Sequence, residues 1–258
     1  MKKTLQIANG IAVISTIIVN YLSNTGVFNG KTVAEISNKY QNYFTPAGYA
    51  FSIWGLIYLG LLTFVIYTGQ GLFKKIEDKW PVLEIGWWFV ISCIANSFWV
   101  IAWLYEYTGL TVLIMIIILI SLVKIILNTR MELDNLSLKK IAFVWWPFSI
   151  YSGWICVALI ADIAAYLTKI NWNGFGISQI GWTIIMICIA GIVNLFITWK
   201  RNMREFALVG VWALVAIAVA NWNVVESIVI IAIAVAVILF ISVMIHIYKN
   251  HKVYPLKK

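Results

Sequence analysis

One acidic side chain stands inside a long apolar segment of the sequence. Asp162 lies in the apolar stretch 141–166, and Tyr151, Trp154 and Ala158 precede it at spacings of three and four residues. Residues at these spacings share one face of a helix, so the pattern predicts a face that combines aromatic rings with a carboxylate. An ionisable group at membrane depth usually faces a bundle interior or water, which makes Asp162 a candidate binding or ion-coupling residue. A solvated carboxylate about one turn from the membrane surface is the alternative.

Two further apolar segments repeat this combination of large rings and polar groups. At spacings of three and four residues, they carry Asn96, Trp99 and Trp103 in one segment and Phe51, Trp54 and Tyr58 in the other. Flat rings, an apolar wall and a few polar anchors suit a hydrophobic ligand. Two structural roles stay open, because asparagines often hydrogen-bond between membrane helices and aromatic rings often form a belt at the membrane surface.

A polar stretch leads into the second apolar segment. Pro46 fixes its own φ and disfavours helical geometry at Thr45, so a helix is predicted to start at Pro46 or just after it. Gly48 allows another backbone to come close. The preceding loop, about Ser23 to Phe44, is either a solvated connector or a lid. In the second case Pro46 and Gly48 form the lid junction.

The composition indicates a polytopic, all-α membrane protein. Hydrophobic residues make up 62% of the 258 residues, charged residues make up 11%, and the mean hydropathy is +0.91. A membrane helix needs about 20 residues, which predicts eight transmembrane helices. Their expected spans are 5–22, 47–69, 84–105, 109–127, 141–166, 178–199, 206–221 and 225–247.

Catalytic and metal chemistry has little support in the residue types. The two histidines, His246 and His251, both lie near the end of the chain, so no metal site is expected at membrane depth. The three cysteines lie inside apolar segments without CxxC spacing, and we interpret them as packing residues.

The distribution of basic residues predicts the orientation. Sixteen of the 19 lysines and arginines fall on the side of the two termini, and only Lys31, Lys39 and Lys169 fall on the other. The positive-inside rule therefore predicts a multi-pass protein of the cell membrane with both termini cytoplasmic, and an even number of spans. Anionic lipid also accounts for the net charge of +9 without a nucleic-acid partner.

Three motifs together resemble the TspO/MBR family of tryptophan-rich sensory, translocator-like proteins. They are Thr45-Pro46-Ala47-Gly48 with Phe51, Trp54 and Tyr58; Asn96-x-x-Trp99; and Pro147 with Tyr151, Trp154, Ala158 and Asp162. The chain departs from the family pattern where Asp162 replaces an asparagine and where the gap between Phe51 and Trp54 is one residue shorter. That shift turns Trp54 by about 100° around a regular helix.

The resemblance implies a division of the chain and a ligand. Residues 1–166 are expected to form the five-helix family domain, and residues 167–258 three additional helices and a basic cytoplasmic tail. The family binds porphyrin or haem and sterol-like molecules below a loop, which carries over to a pocket lined by Trp54, Asn96, Trp99, Tyr151, Trp154, Ala158 and Asp162. Three functions follow as hypotheses: a receptor or sensor for a hydrophobic ligand, a small-solute transporter that uses Asp162, and a light-dependent porphyrin-degrading enzyme. No cofactor is assigned beyond a porphyrin or haem ligand, and a homodimer stays an open alternative.

Overall fold

The computed structural model describes residues 1–74 and 80–253, with side chains up to residue 249, and this part of the chain is helical without a strand. The helices are α1 (Lys2–Leu22), α2 (Val33–Lys39), α3 (Ile53–Gly69), α4 (Val82–Ile85), α5 (Trp88–Leu104), α6 (Thr108–Asn128), α7 (Leu138–Lys140), α8 (Trp146–Lys169), α9 (Gln179–Arg201), α10 (Arg204–Ala220) and α11 (Glu226–Val253). Lys75, Lys79, Lys257 and Lys258, four of the basic residues assigned to the cytoplasmic side, lie outside the described residues, as does the side chain of His251.

Eight long helices coincide with the eight predicted spans. Among the described residues, six are long and apolar enough to cross a membrane: Lys2–Leu22, Gly48–Leu72, Thr108–Asn128, Leu138–Lys169, Gln179–Arg201 and Glu226–Lys249. Helices α5 and α10 have 17 residues each. At 1.5 Å per residue they reach about 26 Å, somewhat less than the hydrocarbon thickness. An all-α, multi-pass membrane fold is therefore confirmed, while the number of eight spans stays a prediction.

The chain divides into two compact units. The first contains residues 1–42 and 52–172, and the second contains residues 43–51 and 173–258. The segment Tyr43–Phe51 thus belongs with the C-terminal helices, although it directly precedes α3 in the sequence.

Five long helices of the first unit form a closed ring. Helix α1 packs against α3 and α5, α5 against α6, α6 against α8, and α8 against α3. Phe64 of α3, Phe89 of α5 and Phe148 of α8 meet inside this ring with centroid distances of 4.9–5.6 Å. Each of these rings is fully buried, so they form part of the apolar core of the first unit.

Helix α8 begins with an irregular turn that its proline explains. A π-helical turn covers Ile141–Trp145 and continues directly into α8, where Pro147 stands near the first position. Proline has no backbone N–H, so the hydrogen bond to the carbonyl four residues earlier cannot form and the preceding turn widens. Gly60 of α3 packs against this proline, since a Cβ there would lie 3.3 Å from the Pro147 Cβ.

The second unit is a three-helix bundle with a docked segment. Helices α9, α10 and α11 contact one another pairwise. The backbone N–H of Ala47 donates to the Ala216 carbonyl (3.0 Å), and the indole N–H of Trp212 donates to the Ala50 carbonyl (3.2 Å). The side chain of Asn221, directly after α10, donates to the carbonyl of Tyr43 (2.9 Å). Three hydrogen bonds therefore hold this segment against α10 and the residue that follows it.

The second apolar helix begins just after Pro46, as the sequence predicted. Its first part is a 3₁₀ helix, Gly48–Ser52, and the α-helix follows from Ile53. The Ala47 N–H bonds to α10, and the Ala47 carbonyl accepts from Ala50, a short-range bond that favours a 3₁₀ turn.

Candidate ligand-binding site

Aromatic rings of α3 and α8 meet inside the five-helix ring of the first unit. Trp54 stacks on Tyr58 (centroids 5.5 Å apart, interplanar angle 22°). The Trp54 ring also lies edge-on to Tyr151 (5.9 Å) and to Trp154 (6.5 Å). Trp154 and Tyr151 are each only 2% exposed. The shortened spacing before Trp54 therefore does not turn its ring away from α8.

A chain of polar contacts joins this aromatic cluster to α1 and α5. Asn20 donates its amide N–H to Asn96 Oδ1 (2.9 Å), and Asn96 Nδ2 donates to the hydroxyl of Tyr151 (3.3 Å). Asn96 is 1% exposed. Amide and hydroxyl groups at membrane depth need such partners, because an unsatisfied polar group there is costly. The hydroxyl of Tyr58, also buried, has no hydrogen-bond partner among the described residues.

Asp162 lies nearer the C-terminal end of α8 and faces two neutral donors. Trp99 of α5 donates its indole N–H to Oδ2 (3.4 Å), and Thr111 of α6 donates its hydroxyl to Oδ1 (2.9 Å). The residue is 3% exposed. The Asp162 carboxylate thus points between neighbouring helices. The alternative interpretation, a solvated carboxylate near the membrane surface, is wrong.

The loop after α1 is folded over the ends of α5 and α8. Ile36 and Tyr40 of this loop form a buried cluster with Val100, Trp103 and Leu104 of α5 and Ala165 of α8, against which Trp99 also packs. Trp103 stacks on Trp99 (5.6 Å) and donates its indole N–H to the Val33 carbonyl (3.2 Å). A capping box between Thr32 and Glu35 starts α2. The loop is therefore a packed element and not a solvated connector.

A single carboxylate in the turn between α5 and α6 holds this loop. Glu106 accepts hydrogen bonds from the ammonium groups of Lys31 (2.6 Å) and Lys39 (2.5 Å) and from the hydroxyl of Tyr40 (2.5 Å). Lys169, at the end of α8, donates to the Glu106 backbone carbonyl. The two ammonium groups and the hydroxyl lower the pKa of Glu106 to about 2. We call these five residues the Glu106 latch.

The structure brings most of the predicted site residues together in two groups, with Ala158, Pro46 and Gly48 outside both. Trp54, Asn96, Tyr151 and Trp154 come together in the aromatic cluster, while Trp99 and Asp162 come together directly below the latched loop. Ala158 lies half-buried on α8, one turn from both Trp154 and Asp162. Pro46 and Gly48 lie in the segment that belongs to the second unit, and their role as a lid junction stays a prediction.

A separate groove runs between α1 and α5 in the first unit. It has a volume of about 480 Å³ and is lined by Ala8, Ile11, Ala12, Ser15, Thr16, Val19, Val90, Cys93, Ile94, Ser97, Phe98 and Ile101. The hydroxyls of Thr16 and Ser97 both bond to the Cys93 carbonyl (3.0 and 3.1 Å). A ligand in this groove would therefore contact mainly apolar side chains. The groove contains none of the predicted site residues.

Sequence reasoning missed the partners of the predicted residues. Asn20, Thr111 and Glu106 were not among the candidates, although each forms a hydrogen bond with a site residue or with the loop. One signal was present in the sequence. The three basic residues assigned to the side opposite the termini need a counter-charge, and Glu106 lies in a short loop on that side.

The sequence model of TSPO-like proteins matches residues 6–245, which is most of the chain. The chain belongs to the TSPO-like protein family. The match extends through α9 and α10 and most of α11, whereas the motif resemblance reached only residue 166. Comparisons with curated proteins and with solved structures returned no match. Membership of the TSPO-like family and the apolar helices together make this a multi-pass membrane protein.

Proposed function

We propose that this TSPO-like protein is a membrane receptor or sensor for a hydrophobic, tetrapyrrole- or sterol-like ligand, bound in the first unit beneath the loop after α1. The observation that carries the proposal is that Trp54 contacts Tyr151 and Trp154 inside the five-helix ring, and that Tyr151 is hydrogen-bonded to the Asn96 amide. A flat apolar molecule gains most from such rings, and a single amide can orient a polar substituent.

The loop gives a second line of support. Binding sites for apolar molecules need to exclude water, and a packed loop above the ring can do this when it closes. Helix α2 is seven residues long, is capped at its start and is tied to the α5–α6 turn through the Glu106 latch. In this proposal a ligand enters when the latch opens and is retained when it closes.

The distribution of basic residues adds an orientation in the membrane to the proposal. The three basic residues predicted for the outer side, Lys31, Lys39 and Lys169, converge on Glu106 at one end of the first unit. With the other 16 basic residues assigned to the opposite side, this favours a cell-membrane protein with cytoplasmic termini and an extracytoplasmic loop.

A fluorescence titration tests the proposal. Protoporphyrin added to the purified protein in neutral detergent should quench tryptophan emission saturably. The double variant Trp54→Phe, Trp154→Phe keeps apolar bulk but removes both indoles, so its residual quenching should be weaker and its Kd higher by about tenfold. Trp87→Phe with Trp222→Phe is the matched control, because these two indoles are 51% and 59% exposed. Equal saturable binding in both double variants would contradict the proposed site.

A transporter is the second candidate, and Asp162 favours it. A carboxylate buried at membrane depth is a typical element of ion-coupled transport. Uptake of a solute into proteoliposomes that depends on an ion gradient and is lost in Asp162→Asn would favour transport. Saturable ligand binding without uptake in either form of the protein would favour the receptor.

A third candidate function is an enzyme that breaks down porphyrin in a light-dependent reaction. Indoles in contact with a photoexcited ring are oxidisable, and two are present in the aromatic cluster. Saturable product formation under light that disappears in the Trp54→Phe, Trp154→Phe variant would separate this role from binding alone.

A further inference from the structure

The surroundings of Asp162 carry information about the charge of the ligand. Its two oxygens accept one hydrogen bond each, from the Trp99 indole and the Thr111 hydroxyl, and both donors are neutral. A carboxylate has about four acceptor positions, so roughly two remain for further donors. At 3% exposure, water reaches this group only through a change in the surrounding side chains.

No cation of the described chain compensates Asp162. Asp162 takes part in no ion pair among the described residues, whereas Glu106 pairs with Lys31 and Lys39, and Asp134 pairs with Arg130. Lys169 lies seven residues further along α8, about 10 Å by helical rise, and its ammonium donates to the Glu106 carbonyl. The lysines closest to this end of the unit are therefore all engaged by Glu106, while the deeper carboxylate has none.

The aromatic neighbours of Asp162 suit a cation as well. Trp99 is half-buried and stacks at 5.6 Å on Trp103, which is itself fixed to the loop through the Val33 carbonyl. Indole faces attract ammonium groups, and this attraction is stronger where water is excluded. A carboxylate with free acceptor positions beside the Trp99 indole is complementary to a positively charged nitrogen with N–H donors.

We propose that Asp162, with Trp99 beside it, recognises a protonated amine on the hydrophobic ligand, so that the site prefers lipophilic ammonium compounds over neutral and anionic analogues of equal size. This inference rests on the proposed function and deepens it. The aromatic cluster of Trp54, Tyr151 and Trp154 supplies the apolar binding surface, and Asp162 supplies the charge selectivity. A buried charge without a partner is costly, and a ligand ammonium that pairs with Asp162 relieves that cost.

Three pyrene probes that differ only in their polar group test the inference. They are 1-pyrenemethylamine, which is an ammonium at pH 7, 1-pyrenemethanol and 1-pyrenecarboxylate. Binding is measured by energy transfer from tryptophan to pyrene in the full chain, in a neutral detergent. The ammonium should bind at least tenfold more tightly than the alcohol, and the carboxylate should bind most weakly.

Two variants of matched chemistry locate the effect. In Asp162→Asn the ammonium-to-alcohol ratio should fall to about one while the alcohol still binds, which also shows that the variant is folded. In Asp134→Asn, the same change at a residue of the α6–α7 connection, the ratio should stay as in the wild type. Equal affinity of the wild type for ammonium and alcohol overturns the inference even if Asp162→Asn fails to fold.

The outcomes separate this inference from the function beneath it. Saturable binding of all three probes with equal affinity, or an unchanged ratio in Asp162→Asn, overturns the amine preference alone and leaves a hydrophobic-ligand receptor. Absence of saturable binding for every probe contradicts the proposed function, and the amine preference falls with it.

Discussion

Glu106 and Asp162 belong to the same unit, yet their surroundings are opposite. Glu106 lies in a turn and receives two ammonium groups and one phenolic hydroxyl. Asp162 is 3% exposed and receives only an indole and a threonine hydroxyl. The comparison indicates that the two carboxylates have different roles. The cations of the chain pair with the carboxylate that holds the loop, whereas Asp162 has no such partner, and in our proposal a ligand supplies it.

Charge reversal at Glu106 should have the largest effect. In Glu106→Lys a third ammonium group replaces the acceptor of Lys31 and Lys39, so the loop is repelled from the α5–α6 turn. We expect hydrogen exchange of the α2 amides to accelerate at least tenfold, which corresponds to about 1.4 kcal/mol.

The control for this change is Asp134→Lys, which makes the same change in charge beside Arg130. It should leave α2 exchange unaltered. If α2 remains equally protected in Glu106→Lys, the loop is held by its apolar cluster alone and the latch has no role in closure.

Neutralising each carboxylate separately should change the Tm in different directions, which sharpens the comparison. Glu106→Gln removes the charge that pairs with two lysines and should lower the Tm by about 2–4 °C, as expected for roughly 1 kcal/mol in a chain of this size. Asp162→Asn keeps an acceptor oxygen and removes an unpaired buried charge, so the Tm of the ligand-free protein should stay the same or rise. A large loss of Tm in Asp162→Asn would mean that the hydrogen bonds from Trp99 and Thr111 outweigh the cost of the buried charge.

The smallest effect concerns pH. The pKa of Glu106 is about 2 with the latch closed, against an ordinary value of 4.5. A lowered pKa gives a stabilisation that is fully present above about pH 4.5 and is lost as the pH falls towards 2. On the basic side, Glu106 raises the pKa of Lys39 above 10.5, so this pair is retained at neutral pH. Exchange of α2 amides, corrected for intrinsic rates, should therefore be constant from pH 5 to 8; a transition near pH 6 or 7 would contradict the assignment.

The sequence predicted the apolar helices well because their signal is local. A run of about 20 apolar residues identifies a membrane helix without knowledge of its neighbours. It also placed Trp54, Asn96 and Trp154 on the faces that meet, since spacings of three and four residues define a helical face. The 3₁₀ geometry of Gly48–Ser52 was not predicted, because the hydrogen bonds to Ala216 and from Trp212 that shape this segment come from residues more than 160 positions away in the sequence.

The pairing of polar groups could not be predicted in the same way. Asn20 and Asn96 are 76 residues apart, and Thr111 and Asp162 are 51 residues apart. Each pair forms only because the ring brings α1 next to α5 and α6 next to α8. The sequence shows which groups need a partner, but the order of helices in the ring decides which partner each one obtains.

Photo-oxidation mapped by peptide mass spectrometry tests the proposed binding site most directly. Protoporphyrin bound to the wild-type protein is irradiated briefly, and the oxidised tryptophans are identified. With azide present to remove singlet oxygen that diffuses away from the ring, oxidation begins by electron transfer from indoles in contact with the excited porphyrin. We therefore expect oxidation of Trp54 and of the 2% exposed Trp154 before the exposed Trp87 and Trp222. Oxidation that follows exposure, with Trp87 and Trp222 modified first and Trp154 spared, would contradict a ligand site at the aromatic cluster of the first unit.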